Sequence, residues 1–226
     1  MEVDRKAYVL AHALRRLAMA RMLAVPVDAV SFSTEASGKP LMTAPENPGI
    51  YFSHSRSRSL VVCAATRAGP VGVDVERMDG GIADLELLRG FVEPPHVQHR
   101  GIKPWGDKAR YFFIYWTLLE AYWKSRGTGL SYANPPIRCL ETPQGMIEIS
   151  LATAGSASVP CALGIPLQSP CDCVATLVLD QKPAVTAALE VSYHAPAFFP
   201  GSGCATKPQH PLRTRFSQPS WQRPCP

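Results

Sequence analysis

The chain has 226 residues, 46% hydrophobic and 18% charged, enough apolar material for one large domain or two small lobes. It contains no run of about 18 uninterrupted apolar residues, and its start, with Glu2, Asp4, Arg5 and Lys6, lacks a signal-peptide pattern, so the expectation is a cytoplasmic protein with no membrane partner. The net charge of +5 gathers in residues 181–226, where five Lys or Arg face the single acid Glu190 and leave 18 against 17 elsewhere; this argues against nucleic-acid binding by the folded part.

Seven cysteines without tight pair spacing argue against a secreted disulfide framework. Cys171 and Cys173 fall in a period-2 apolar pattern, which suits strand packing better than a zinc knuckle.

In chain order, residues 4–24 predict an amphipathic helix with Leu10, Leu14, Leu17 and Met22 on its apolar side and Arg15, Arg16 and Arg21 on a solvated face that could also steer an anionic ligand. Pro26 ends it. Ser31 to Ser33 reads as a short strand, and Ser37-Gly38-Lys39-Pro40 as a turn that presents Lys39. The segment from Gly49 predicts two strands, the second over Leu60 to Thr66. Between them Ser53, His54 and Ser55 gather hydroxyls and an imidazole, either as a capped turn or as a phosphate or purine contact.

In Val71 to Glu76, apolar Val71, Val73 and Val75 alternate with Gly72, Asp74 and Glu76. A strand would set the two carboxylates on one face, about 6.5 to 7 Å apart. Exposure on an edge strand would relieve their repulsion. A hard cation such as Mg²⁺ would also do so, since it takes oxygen ligands and recruits one or two carboxylates. Gly80-Gly81 marks a hinge, residues Ile82 to Arg89 a short helix, and Phe91 to Pro95 a break.

Tyr111 to Leu130 predicts the central helix. Tyr111, Tyr115, Leu118 and Tyr122 form one stripe, and Trp116, Glu120 and Lys124 an adjacent one. Gly127 and Gly129 can take positive φ and stop it. Glu120 sits in mostly apolar company, so it needs an i,i+4 pair with Lys124, a metal or a proton. Residues 137–151 and 171–180 read as strands, with Gln144-Gly145 turning between two of them. Residues 181–226 hold eight prolines and little periodicity, and are expected not to fold.

Four motifs in order resemble those of the 4′-phosphopantetheinyl transferases of the larger, monomeric, two-lobed type: Gly38-Lys39-Pro40, Phe52-Ser53-His54-Ser55, Val71 through Asp74 to Glu76, and Trp116 through Glu120 and Lys124 to Gly127-Thr128-Gly129-Leu130. The resemblance covers roughly residues 4–180. It implies an α+β fold of two similar lobes related by a pseudo-twofold, each a small antiparallel sheet packed with a long helix, with the coenzyme A (CoA) site in the cleft between them. The expected limits are 1–81 for the first lobe, 82–180 for the second and 181–226 for the tail.

The resemblance further implies metal ligands at Asp74, Glu76 and Glu120, contacts to the nucleotide end of CoA at Lys39, Ser53 and His54, and a phosphate contact at Lys124. The implied reaction is Mg²⁺-dependent attack of a serine of an apo acyl or peptidyl carrier protein on CoA, releasing 3′,5′-ADP, with Glu120 as ligand and general base. Three departures stand against the pattern: Leu119 where the family has lysine, Ala7 where its first helix commonly has arginine, and an expected lack of the segment that usually precedes that helix. They imply slow turnover, or a relative that only binds CoA or a carrier protein. On this reading Leu119→Lys speeds the reaction, unless Leu119 is a core residue.

Overall fold

The computed structural model describes residues 2–35, 38–46, 49–57, 60–78, 85–92, 108–152, 160–167, 173–180, 189–191 and 212–214. Expectations on Ser37, Gly80, Gly81, Ile82, Glu93 to Pro95 and Cys171 lie outside these residues. Helix α1 (Glu2–Leu23) opens the chain, and Ala24, at φ 55°, ends it just before Pro26. Its buried side differs from the expected leucine stripe. Ala7, Ala11, Arg15, Met19 and Ala20 are buried, whereas Leu17 is 57% exposed. Small alanines let the helix approach the strands beneath it more closely than leucines would.

Strands β1 (Ser31–Thr34) and β2 (Pro40–Ala44) pair antiparallel, joined by a turn in which Gly38 takes φ 83°. Strands β3 (Tyr51–Ser57) and β4 (Leu60–Thr66) form a second antiparallel ribbon. Met19, Val30 and Met42 gather with Phe32, Phe52 and Ala65 into the cluster between α1 and these strands.

Strand β5 (Val71–Arg77), placed in sequence with the first lobe, is hydrogen-bonded along its length to β9 (Cys173–Asp180). It forms one edge of a five-stranded antiparallel sheet with β6 (Ile137–Glu141), β7 (Ile147–Leu151) and β8 (Ala162–Leu167), in the order β5-β9-β8-β7-β6. Between β5 and β6 lie the short helix α2 (Leu85–Arg89) and the long helix α3 (Lys108–Arg126).

Helix α3 covers one face of the sheet. Leu118, Leu119 and Tyr122 meet Ile137, Ile149, Val174 and Val178 there. The other face carries Val71, Val73, Leu163, Ile165 and Leu177, with Val62 and Ala64 of β4 packed against it. Two glycines make the close fit of α3 possible: a Cβ on Gly72 would stand 1.8 Å from the Ala121 carbonyl oxygen, and one on Gly164 would stand 2.3 Å from Leu118 Cδ1. The chain is thus α+β, built of small antiparallel sheets and helices.

Strand β8 escapes sequence reading because Gly164 and Pro166 look like breakers. Gly164 makes room for Leu118, and Pro166 lies beyond the residues that pair with β7. Within residues 181–226 the described segments are β10 (Leu189–Val191) and β11 (Leu212–Thr214), which pair antiparallel although this region was expected not to fold. Among the described residues, no helix is long and apolar enough to cross a membrane.

Candidate active site

The alternation of β5 turns Val71, Val73 and Val75 to one face and Gly72, Asp74 and Glu76 to the other, toward α3. Exposure does not relieve the carboxylates, because Asp74 is only 2% exposed. The free edge of β5 is covered by the serines of β3. Ser53 Oγ accepts the Val73 N–H at 3.1 Å and Ser57 Oγ accepts the Arg77 N–H at 3.1 Å. Ser55 Oγ donates to Asp74 Oδ1 at 2.7 Å, and Ser57 Oγ donates to Glu76 Oε2 at 3.0 Å. Serines two residues apart on one strand thus reach both edge amides and both carboxylates. The sequence reading singled out Ser53 and Ser55 but missed Ser57; the signal was the period-2 run Ser53, Ser55, Ser57 opposite a strand with the same period.

Lys124 completes the arrangement from α3. Its Nζ donates to Asp74 Oδ1 at 2.5 Å and to Ser55 Oγ at 3.4 Å. Among the described residues, the ion pair of Lys124 is with Asp74 across on β5 and not with Glu120 at i,i+4. Glu120 lies one turn before it on the partly open stripe with Trp116, as the helical period requires.

Burial pushes the Asp74 carboxyl above its ordinary value, with Lys124 and Ser55 pulling it back only in part. Glu76 is raised first by burial and then by the charge of Asp74, with a further contribution from Glu120. Glu120 is raised by burial, opposed by Lys124 and reinforced by Asp74. The three carboxylates therefore share one electrostatic field.

Among the described residues, no group of three or more His, Cys, Asp or Glu stands in an arrangement that could hold a metal ion. The donor chemistry nevertheless fits a hard cation. Asp74 Oδ2 is buried without a hydrogen-bond partner, and the mutual repulsion raising Glu76 is of the kind a divalent cation relieves.

Lys39 lies against the end of α3, its Nζ 3.0 Å from where a Cβ on Gly127 would stand. Gly127 and Gly129, at φ 78° and 70°, end the helix there as expected. His54 points to the opposite side of its strand from Ser53, toward α1, with its ring 6.3 Å from that of His12. Its pKa is pushed down to about 4, chiefly by burial and then by Arg15, His12, Lys124 and Arg56.

Leu119 faces away from this site. It is 0% exposed in the cluster between α3 and the sheet, so the departure from lysine there reflects core packing and does not imply a lost phosphate contact.

Residues 70–165 match the family model of the 4′-phosphopantetheinyl transferase superfamily, a span that holds Asp74, Glu76, Glu120 and Lys124. The chain is 32% identical over 130 residues to 4′-phosphopantetheinyl transferase psf-1 of Bacillus pumilus, covering 58% of this chain and 54% of that protein. It is 30% identical over 154 residues to 4′-phosphopantetheinyl transferase HetI of Nostoc sp., covering 67% and 64%. Against 4′-phosphopantetheinyl transferase Sfp of Bacillus subtilis it is 27% identical over 153 residues, covering 68% and 65%. The matched region thus spans between half and two-thirds of the length of these relatives.

Proposed function

We propose, on the premise that residues 70–165 belong to the 4′-phosphopantetheinyl transferase superfamily, that this protein transfers 4′-phosphopantetheine from CoA to a serine of an apo acyl or peptidyl carrier protein and releases 3′,5′-ADP. The observation that carries the proposal is Asp74: a buried carboxylate with one oxygen fixed by Ser55 and Lys124, the other unpartnered, in the field of Glu76 and Glu120.

The serine oxygen attacks the β-phosphorus of CoA. The bond from that phosphorus to the oxygen bridging the two phosphates breaks, and 3′,5′-ADP leaves with the bridging electrons. Glu120 takes the serine proton. Its carboxylate stands on the partly open stripe of α3, one turn before Lys124, where it can supply an oxygen for that proton. Lys124, already held between β5 and α3, supplies a cation to the charge that grows on the leaving phosphate. Mg²⁺, held by oxygens of Asp74, Glu76 and Glu120, would neutralise the pyrophosphate and orient it. Lys39, Ser53 and His54 are assigned to the nucleotide end of CoA. The burial of Leu119 removes one of the reasons for a binding-only role.

The test is incubation with CoA, Mg²⁺ and apo carrier proteins, read by mass spectrometry. A gain of one phosphopantetheine on the carrier serine, absent in Glu120→Gln, supports the transferase. Binding of CoA with no gain on any carrier supports the binding-only alternative.

A further inference from the structure

Strand β5 pairs with β9 along one edge, so the groups on its other edge need partners from outside the five-stranded sheet. At the end of β5, the Arg77 N–H donates to Ser57 Oγ at 3.1 Å. That contact fixes what the hydroxyl can do. A backbone N–H only donates, so one lone pair of Oγ is taken up as acceptor, and the single hydroxyl proton goes to Glu76 Oε2 at 3.0 Å.

Asp74 and Glu76 are held by different means. Asp74 is almost wholly buried, and its Oδ1 takes both Ser55 and Lys124. Glu76 has the longer side chain and is only partly buried. Burial and the charge of Asp74 push its carboxyl up, and the Ser57 hydroxyl is the first of the groups that oppose them. Without that hydroxyl, repulsion from Asp74 and Glu120 would turn the Glu76 side chain away from both.

We propose that Ser57 is a positioning residue for a divalent cation: by holding Glu76 Oε2 it leaves Oε1 of the same carboxylate to serve the cation together with Asp74 Oδ2. Metal-binding carboxylates depend on such outer hydrogen bonds for their orientation. Asp74 follows the same division, with Oδ1 bonded and Oδ2 buried without a partner. Ser57 lies outside both the Phe52 to Ser55 motif and the span matched to the family model. The proposal rests on the reading of Asp74, Glu76 and Glu120 as cation ligands.

The test uses the full chain as wild type, Ser57→Ala and Ser57→Thr, with Mn²⁺ as the probe because it takes the same oxygen ligands and is counted by electron paramagnetic resonance. Affinity is measured without and with CoA, and the Tm of each metal-free variant is recorded. Ser57→Ala should weaken Mn²⁺ about ten- to a hundredfold. Ser57→Thr keeps the hydroxyl and should bind like the wild type. In carrier modification, the Mg²⁺ concentration giving half the maximal rate should rise for Ser57→Ala by the same factor, with kcat recovered once Mg²⁺ saturates.

A lower Tm with unchanged Mn²⁺ affinity would overturn the proposal and leave Ser57 as a cover for the edge of β5. Equal losses in Ser57→Ala and Ser57→Thr would overturn it too. Should Ser57→Ala not fold, Ser57→Cys takes its place, since a thiol is similar in shape and a weak donor; weakened Mn²⁺ binding supports the role and unchanged binding overturns it. A wild type that binds no Mn²⁺ with or without CoA overturns the cation reading and the role of Ser57 with it. If the wild type binds and Ser57→Ala binds equally well, only the role of Ser57 falls and the transferase reading stands.

Discussion

Ser55 and Asp74 stand nineteen positions apart in the chain and are joined by a buried hydrogen bond of 2.7 Å, on the same carboxylate oxygen that Lys124 approaches from α3. This contact ties the β3–β4 ribbon, the edge of the five-stranded sheet and the central helix at one atom. Ser55→Ala removes a charge-assisted bond where water cannot replace it. It should cost about 1.5 to 3 kcal/mol of stability, measured by urea denaturation, with the slope of the transition unchanged. A loss below a few tenths of a kcal/mol would mean the hydroxyl contributes nothing at this junction.

Gly72 sets how closely α3 lies on β5. An added Cβ would meet the Ala121 carbonyl oxygen at 1.8 Å and the Ser125 nitrogen at 2.8 Å, both backbone atoms that cannot swing aside. Gly72→Ala should therefore destabilise by at least about 1 to 3 kcal/mol and separate Lys124 from Asp74. Gly164→Ala meets the tip of the Leu118 side chain and should cost less. Thermal melts of the two variants check the order, and a milder effect at Gly72 would contradict the packing described here.

Leu119→Lys separates core packing from a missing phosphate contact. Leu119 is fully buried among apolar groups, so an ammonium there has no partner and should cost about 3 to 5 kcal/mol. The expected result is a large fall in Tm with no gain in carrier modification. A stable and faster variant would show that this position reaches CoA after all.

The buried imidazole of His54 makes stability depend on pH. Its pKa falls from 6.5 to about 4 in the folded protein, whereas the unfolded chain protonates near 6.5. Its contribution is therefore intact above about pH 6.5, declines as the pH falls from 6.5 to 4, and is flat below that. The raised carboxyls of Asp74, Glu76 and Glu120 act in the opposite sense, so a variant isolates the effect. His54→Gln should lose less stability between pH 7 and pH 5 than the wild type, as read from urea midpoints. A parallel decline would mean that His54 is exposed and titrates normally.

Local periodicity made much of this legible in the sequence. The alternation around Asp74 marked β5, the glycines at 127 and 129 marked the end of α3, and the stripe of Trp116, Glu120 and Lys124 is the one that stays partly open. What escaped depends on partners distant in the chain. Arg15 looks solvated until β3 and β4 cover it, and Lys124 looks paired with Glu120 until β5 brings Asp74 within reach. The edge-covering role of Ser53, Ser55 and Ser57 requires knowing that β5 has a free edge, which no local pattern reveals.

The most direct measurement is carrier modification by Asp74→Asn, a substitution that keeps the shape of the side chain and removes its charge. With CoA, Mg²⁺ and an apo carrier protein, the wild type should add one phosphopantetheine to the carrier serine. Asp74→Asn should add none while keeping the far-ultraviolet circular dichroism of the wild type. Modification by Asp74→Asn at close to the wild-type rate would contradict the account.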